Sequence, residues 1–192
     1  MAIAGKWVPP KPGLILIMGV AGSGKSTLSR EILRCIWAVY LDNNHIADAF
    51  FPDTRNGPEY ARLRPGFYRA LYTITEENLK LGTSVLLDVP HVKEVQTPEW
   101  RGFIKRLAIR TKAKMVAIRC LCSDKVLHAR IRSRGAQRDR WKLENWKEFL
   151  EKESVKVSIP FPHLDIDTER DLSSNIHAAV QYIRTQLGRP SN

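Results

Sequence analysis

The sequence predicts an α/β chain built on a parallel sheet with helices on both faces. Three observations carry that prediction. Short apolar runs alternate with stretches of helical period along most of the 192 residues. The first such run, Leu14–Met18, passes directly into a glycine-rich turn, and two others end at Asp42 and Asp88. The chain is also long enough to bury a full hydrophobic core in one unit. Strands that alternate with helices are joined by crossovers, which makes the sheet parallel and puts ligand sites at the carboxyl ends of its strands.

The elements follow in order. Residues 1–13 carry Pro9, Pro10 and Pro12 and are expected to be an extended lead-in; with Lys6 but no apolar stretch, they do not resemble a secretory signal. Leu14–Met18 is the first strand. A helix is expected from Gly24 to about Trp37, with Leu28, Ile32, Leu33 and Ile36 on one stripe. Ala38–Leu41 forms a second strand ending at Asp42. Asn43 and Asn44 follow, then a loop through Pro52, Asp53, Asn56, Gly57 and Pro58. Pro65 is expected to open a long helix that stops at Gly82, with Lys80 in its last turn. Ser84–Asp88 is the third strand.

Thr97, Pro98 and Glu99 supply a cap, an N1 proline and an early acid for a helix with Trp100, Phe103, Ile104 and Leu107 on its stripe. Met115–Leu121 is the fourth strand, followed by a helix from Asp124 to about Arg134, an arginine-rich connection to Lys142, and a helix containing Trp146 and Phe149. A fifth strand near Leu164–Ile166 precedes a last helix with Leu172, Ile176, Ala179, Val180, Ile183 and Leu187 at a 3.6-residue period. The fold is expected over 14–188 as a single domain, with a tail at 189–192.

The turn after the first strand reads G-x-x-x-x-G-K-S over Gly19–Ser26, a phosphate-binding loop in its strand–loop–helix context. Gly19, Gly22 and Gly24 allow a tight turn whose N–H groups converge on phosphates. Val20, Ala21, Ser23 and Thr27 complete the cradle. Lys25, expected to be exposed at the loop, suits the outer phosphates, and the Ser26 hydroxyl suits Mg²⁺. The opening of the helix adds a partial positive charge. A nucleoside triphosphate, with ATP and Mg²⁺ as cofactors, is therefore expected here.

Asp42 and Asp88 lie at the same edge of the predicted sheet as the loop. Phosphoryl transfer uses such carboxylates in two ways: one faces the attacking hydroxyl and the other holds Mg²⁺. Asp42 is assigned to the hydroxyl and Asp88, after Val85-Leu86-Leu87, to the metal with Ser26. Asp42 is equally suited to cap a helix over Asn44–Phe50.

Arg130, Arg134 and Arg138 recur every fourth residue, so one helical face can present all three. Their forked guanidiniums match phosphate oxygens, which makes residues 130–142 a lid: Arg130 holds nucleotide while Arg134 and Arg138 stabilise charge in the reaction. Between the two aspartates, 43–81 is expected to form an acceptor pocket from Arg55, Arg62, Arg64, Arg69, Tyr60, Tyr68 and Tyr72, with Tyr68 and Tyr72 equally suited to the core. His45 and His91 follow the strand ends. The loop Pro160–Thr168 is expected to back the base of the nucleotide.

Charge and cysteine content bound the partners. The formal net charge is +11, and all of it falls in 101–156, which has 17 Lys+Arg against 6 Asp+Glu. Such a segment suits a triphosphate, an anionic substrate or a nucleic acid. Trp141 and Trp146 are the aromatics available there for base stacking. Cys120 and Cys122, two apart, are expected on one strand face, and with Cys35 they read as reduced cytoplasmic thiols. No apolar run approaches the roughly eighteen residues of a membrane span.

Loop, strand-end Asp42, strand-end Asp88 and the lid pattern R-x-x-x-R-G-x-x-R-D, in that order, resemble the small P-loop kinases. That group includes chloramphenicol phosphotransferase, the polynucleotide 5′-kinase module, zeta toxins and adenylylsulfate kinase. The resemblance runs from about Leu14 to Leu187. It implies a three-layer fold with sheet order 2-3-1-4-5, Asp42 as the acceptor-side base, and Arg130, Arg134 and Arg138 as lid arginines. It also implies transfer of a γ-phosphate from Mg-ATP to a hydroxyl of a small molecule, which the basic segment allows to be anionic. A polynucleotide or RNA end is the alternative acceptor, and a regulatory ATPase is the alternative from another class.

Overall fold

The structure, a computed structural model, describes residues 5–53, 55, 57–153 and 158–188. Five strands, β1 (Gly13–Met18), β2 (Val39–Asp42), β3 (Val85–Asp88), β4 (Lys114–Leu121) and β5 (Leu164–Asp167), form one parallel sheet in the order β2-β3-β1-β4-β5. Eight α-helices lie among the described residues: α1 (Lys25–Cys35), α2 (Asn43–Phe50), α3 (Pro58–Lys80), α4 (Pro98–Arg110), α5 (Asp124–Arg134), α6 (Arg140–Glu144), α7 (Trp146–Lys152) and α8 (Leu172–Leu187). The expected tail at 189–192 lies outside the described residues, as do residues 1–4 of the lead-in. The rest of the lead-in is anchored where Trp7 bridges to Ile36, beyond the end of α1.

β1 is apolar on both faces because it is the middle strand of a three-layer structure. Ile15 and Ile17 meet Leu28 and Ile32 of α1 and Ala179, Ile183 and Leu187 of α8. Leu14, Leu16 and Met18 meet Leu71 and Leu79 of α3 and Trp100, Ile104 and Leu107 of α4. Each fully buried side chain of this kind is worth about 1.5–3 kcal/mol. Gly13 admits α8 to the sheet, since a Cβ there would lie 2.6 Å from Leu187 Cδ1. The α4 cap forms as its sequence predicts, with Thr97 Oγ1 accepting from the Trp100 N–H.

Three local expectations are corrected. α3 begins at Pro58, at N1, and Pro65 sits inside it. The proline removes the hydrogen bond to the Ala61 carbonyl, but Ala61 is exposed, and Phe67, Leu71, Thr75 and Leu79 hold the helix down on its other side. The helix that Asp42 caps begins at Asn43, one residue before the Asn44 expected. Cys122 lies beyond the end of β4, so the alternation that buries Cys120 does not extend to it; all three cysteines are free. Burial pushes the Cys120 thiol up to about 12.

The lid differs most. α5 stops at Arg134 because Gly135 adopts a left-handed C-cap (φ 61°), and Arg138 lies in a separate 3₁₀ turn, Gln137–Asp139. One helical face therefore does not carry Arg130, Arg134 and Arg138. The chain instead folds back so that all three reach one cleft.

Candidate active site

The carboxyl edge of the sheet opens into a cleft of about 830 Å³. Its floor is the loop between β1 and α1. Gly19 (φ 139°) and Gly24 (φ 87°) hold backbone angles in the left-handed region, and a Cβ on Gly19 would lie 2.6 Å from the Cys120 carbonyl oxygen. Ala21, Gly22, Gly24, Lys25, Ser26 and Thr27 line the cleft. Gly19, Val20 and Ser23 support it from behind. The Gly19 N–H donates to the Pro90 carbonyl (3.1 Å), Val20 packs with Val92 and Leu127, and the Ser23 carbonyl accepts from Thr168 Oγ1 (3.0 Å). α1 starts with no side-chain cap and no acid in its first turn, which leaves its N-terminal dipole to an anion.

Lys25 is buried, contrary to the exposed ammonium expected, and its Nζ donates to the Val20 carbonyl at 2.8 Å. It still borders the cleft, so a phosphate oxygen can replace that carbonyl as its partner.

Asp42 and Asp88 are register partners on neighbouring strands, and both are almost fully buried. Asp42 Oδ1 accepts from the N–H of Asn44 and from its Nδ2, each at 2.8 Å. It caps α2 through Oδ1 and also lines the cleft, so the two roles considered for it are compatible. Tyr40, two residues earlier on the same strand, donates its hydroxyl to Asp88 Oδ2 (2.9 Å) and lies 3.3 Å from Asp42 Oδ2. Sequence reasoning missed Tyr40; its only signal was its i−2 position on a strand ending in aspartate.

Burial pushes the Asp88 carboxyl above its ordinary range. Lys25 opposes that shift, Asp42 adds to it, and hydrogen bonds from Ser26 and Tyr40 oppose it. Burial likewise drives the Tyr40 hydroxyl far above its usual value, with Asp88 and Asp42 adding to it, so it stays a donor.

These residues fit Mg²⁺ bound with nucleotide. Ser26 and Asp88 line the same cleft, and the second carboxylate is adjacent. Among the described residues no cluster of three or more His, Cys, Asp or Glu could hold a metal. A Mg²⁺ that takes most of its ligands from water and phosphates does not require one.

Arg130 donates Nη1 to Thr168 Oγ1 (2.8 Å) and Nη2 to the Thr168 carbonyl (2.7 Å). Thr168 in turn holds Ser23, so α5, the end of β5 and the phosphate loop share one node. Of the loop expected to back the base, Thr168 lines the cleft, beside Arg170, Leu172 and Asn175, whereas Phe161 packs on the opposite core. Leu172, expected within the α8 stripe, is exposed at that rim.

Arg134 donates Nε to Asp139 Oδ2 at 2.8 Å, and Lys142 pairs with the other oxygen. Asp139 is fully buried; burial pushes its carboxyl up, but Lys142 and Arg134 hold it below its usual range. Arg138 reaches across the cleft to Asp48 of α2, at 2.9 and 3.0 Å.

Of the residues expected to form an acceptor pocket, Arg55, Tyr60, Arg64 and Tyr68 line the cleft, whereas Arg62 and Arg69 are exposed away from it. Arg64 lies over the Tyr68 ring (4.7 Å) and donates to Glu94 at 2.8 Å. Tyr72 belongs to the core: its hydroxyl accepts from Trp100 Nε1 at 2.8 Å. His91 is wholly buried against Tyr72 and Trp100, with neither ring nitrogen hydrogen-bonded, and burial lowers its pKa to about 3. His45 stands edge-on to Tyr40 with ring centroids 5.6 Å apart.

A glycine-rich loop on the carboxyl edge of a parallel sheet, beside two strand-end carboxylates and a basic lid, defines a P-loop nucleotide-binding fold. Within that class the chain belongs to the AAA_33 family, described as an AAA domain, whose profile matches residues 14–153. The fold is similar to that of a candidate kinase from Chloroflexus aurantiacus j-10-fl. The TM-score is 0.68 and the identity 22%, covering 93% of this chain and 100% of that one. A sugar kinase from Janibacter sp. HTCC2649 gives 0.65 at 15% identity, covering 90% and 94%. APS kinase CysC from Mycobacterium tuberculosis, in complex with AMPPNP and APS, gives 0.60 at 16%, covering 92% and 99%. No curated protein matches the chain. At these identities the likeness is one of fold. No helix among the described residues is long and apolar enough to cross a membrane.

Proposed function

We propose that the chain, with its domain over 14–188, is a cytoplasmic Mg-ATP-dependent phosphotransferase. In this reading it moves the γ-phosphate to a hydroxyl of a small molecule, as in the chloramphenicol phosphotransferase and zeta-toxin group. The observation that carries the reading is the register pairing of Asp42 with Asp88 beside Lys25 and Ser26 in one cleft. A second buried carboxylate beside the metal-binding one supplies a group that can face an attacking oxygen.

The residues divide the work. The loop from Ala21 to Thr27 receives the phosphates, and Lys25 exchanges the Val20 carbonyl for a phosphate oxygen. Ser26 and Asp88 would hold Mg²⁺, which neutralises charge on the phosphates when bound. Asp42, with Oδ1 fixed by Asn44, turns Oδ2 to the acceptor hydroxyl and takes its proton or orients it. Arg134 and Arg138 balance charge on the transferred group. Arg55, Tyr60, Arg64 and Tyr68 form the acceptor end.

A polynucleotide acceptor has less support. Much of the basic segment is already paired, as in Arg110 with Glu76, Arg140 with Glu144 and Lys152 with Glu148. Trp146 is packed against His128 and Phe149 rather than offered to a base.

The deciding experiment follows transfer of labelled γ-phosphate across sugars, nucleosides, antibiotics and oligonucleotides. Label on a small hydroxyl compound is expected. Label on an oligonucleotide end, with binding that survives about 0.15 M salt, would replace this reading with the polynucleotide one. Release of phosphate to water alone, unchanged by any acceptor, would leave an ATPase.

A further inference from the structure

Asp48 stands in the last turn of α2, outside every motif in the sequence, yet two arginines from different parts of the chain converge on it. Arg138 comes from the lid, ninety residues away, and donates Nη1 to both carboxylate oxygens. Arg55 comes from the segment between α2 and α3 and pairs with Oδ1. Arg55 then donates its other terminal nitrogen to Asn44 Oδ1 at 2.8 Å. Asn44, through Nδ2 and its backbone N–H, holds Asp42 Oδ1. An unbroken chain of charged and amide contacts thus runs from Arg138 through Asp48, Arg55 and Asn44 to Asp42.

The backbone provides a second path between the same ends. Asp42 is the N-cap of α2, and Asp48 lies six residues along the same short helix. At about 1.5 Å per residue, that rigid bar spans about 9 Å. A pull on Asp48 therefore reaches Asp42 through both the side chains and the helix. Arg138 has no comparable anchor on its own element: its turn follows the Gly135 break, and its partner lies across the cleft.

We propose that Asp48 is a positioning residue that latches the lid onto the acceptor side of the cleft and sets the orientation of Asp42. Bringing Arg138 over the nucleotide and aiming the acceptor-side carboxylate then become one event. Asp48 touches neither the phosphate loop nor the Asp88 metal position, so its effect falls on the reaction step and not on nucleotide affinity. The roles of Arg138 and Asp42 in that event rest on the function proposed above; the latch is a physical contact that can be measured without turnover.

Amide hydrogen exchange on the nucleotide-free full chain tests the latch directly. Asp48→Asn keeps the side-chain size and removes the charge. It is expected to speed exchange by about threefold or more in two separate stretches, 43–50 and 135–145, with β1 and β4 unchanged. Arg138→Gln should speed the same two stretches, and the double variant should be no faster than Asp48→Asn alone, because that variant has already lost the Arg138 contact. Faster exchange confined to 43–50 would make Asp48 a local feature of α2 and overturn the latch, as would additive effects in the double variant.

Turnover supplies the second readout. Asp48→Asn should lower kcat for MgATP about tenfold with KM for ATP within twofold, and Asp48→Glu should recover most of the loss. A change in KM alone, or no recovery by glutamate, would overturn the positioning role. Loss of the phosphotransferase reading itself would appear differently, as wild-type turnover in Lys25→Ala, and would leave the exchange result standing.

Discussion

The hydroxyl of Tyr40 and the carboxylate of Asp88 meet at 2.9 Å across two parallel strands, and Asp42 stands 3.3 Å from the same hydroxyl. One neutral donor therefore sits between two buried acids. It eases their mutual repulsion by contacting one oxygen of each. The arrangement keeps two carboxylates side by side at the edge where the proposed function assigns one to a metal and one to an acceptor hydroxyl.

Removing that donor should show in pH dependence. Hydrogen bonding from Tyr40 lowers the Asp88 pKa against the dominant effect of burial. Tyr40→Phe is expected to raise it further, moving the acid limb of the kcat/KM profile to higher pH by about half a unit or more. A profile that falls in height without moving would assign Tyr40 to packing alone.

Asp88 should trade stability for metal binding. Its carboxyl is raised in the folded state, so its contribution to stability is present below the unfolded value near 3.8 and is lost as pH rises through the folded one. Asp88→Asn should therefore melt higher than wild type at neutral pH and need more Mg²⁺ for half-maximal turnover. Asp42→Asn should lower kcat with little change in ATP affinity or Mg²⁺ requirement. Matching Mg²⁺ titrations in the two variants would contradict the division of roles.

Lys25→Ala should abolish ATP turnover and leave the fold intact. The side chain borders an open cleft, so its removal exposes space to water instead of leaving a core cavity. Turnover within about tenfold of wild type would remove the electrostatic role assigned to it.

The lid arginines should separate. Arg134 neutralises a fully buried Asp139, so Arg134→Ala leaves that carboxylate to Lys142 alone and should lower Tm by about 3 °C or more. Arg138→Ala breaks a more open pair with Asp48 and should melt close to wild type. Both should lose about tenfold or more in kcat, with poor rescue by lysine, which lacks the fork. Equal melts would place Arg134 and Arg138 in equivalent settings.

His91 should make the fold acid-sensitive. Its folded pKa of about 3 lies below the ordinary 6.5, so the stability it allows is present above about pH 6.5 and is lost as pH falls toward 3. His91→Phe removes two buried nitrogens that have no partner and should flatten the fall of Tm between pH 6.5 and 4.5. A fall as steep as in wild type would shift the acid sensitivity to the carboxylates.

Much of the architecture could be read in the chain because it depends on neighbours in sequence. The phosphate loop declares itself through Gly19, Gly24, Lys25 and Ser26, whose spacing is a backbone requirement. β1 is legible as a strand buried on both faces, and Thr97 and Pro98 mark the start of α4 for local reasons. Asp42 and Asp88 could be placed at strand ends, and the implied order 2-3-1-4-5 puts β2 beside β3, but the residue-to-residue register could not be read. That register is set by packing on both faces of the sheet. Helical spacing put Arg130, Arg134 and Arg138 on one face; the left-handed turn at Gly135 broke that face, and tertiary contacts with Thr168, Asp139 and Asp48 gathered the three again. Tyr40, Thr168 and Asp48 belong to no local pattern. Their partners come from distant segments, and only the closed fold brings those charges and hydroxyls within hydrogen-bonding reach.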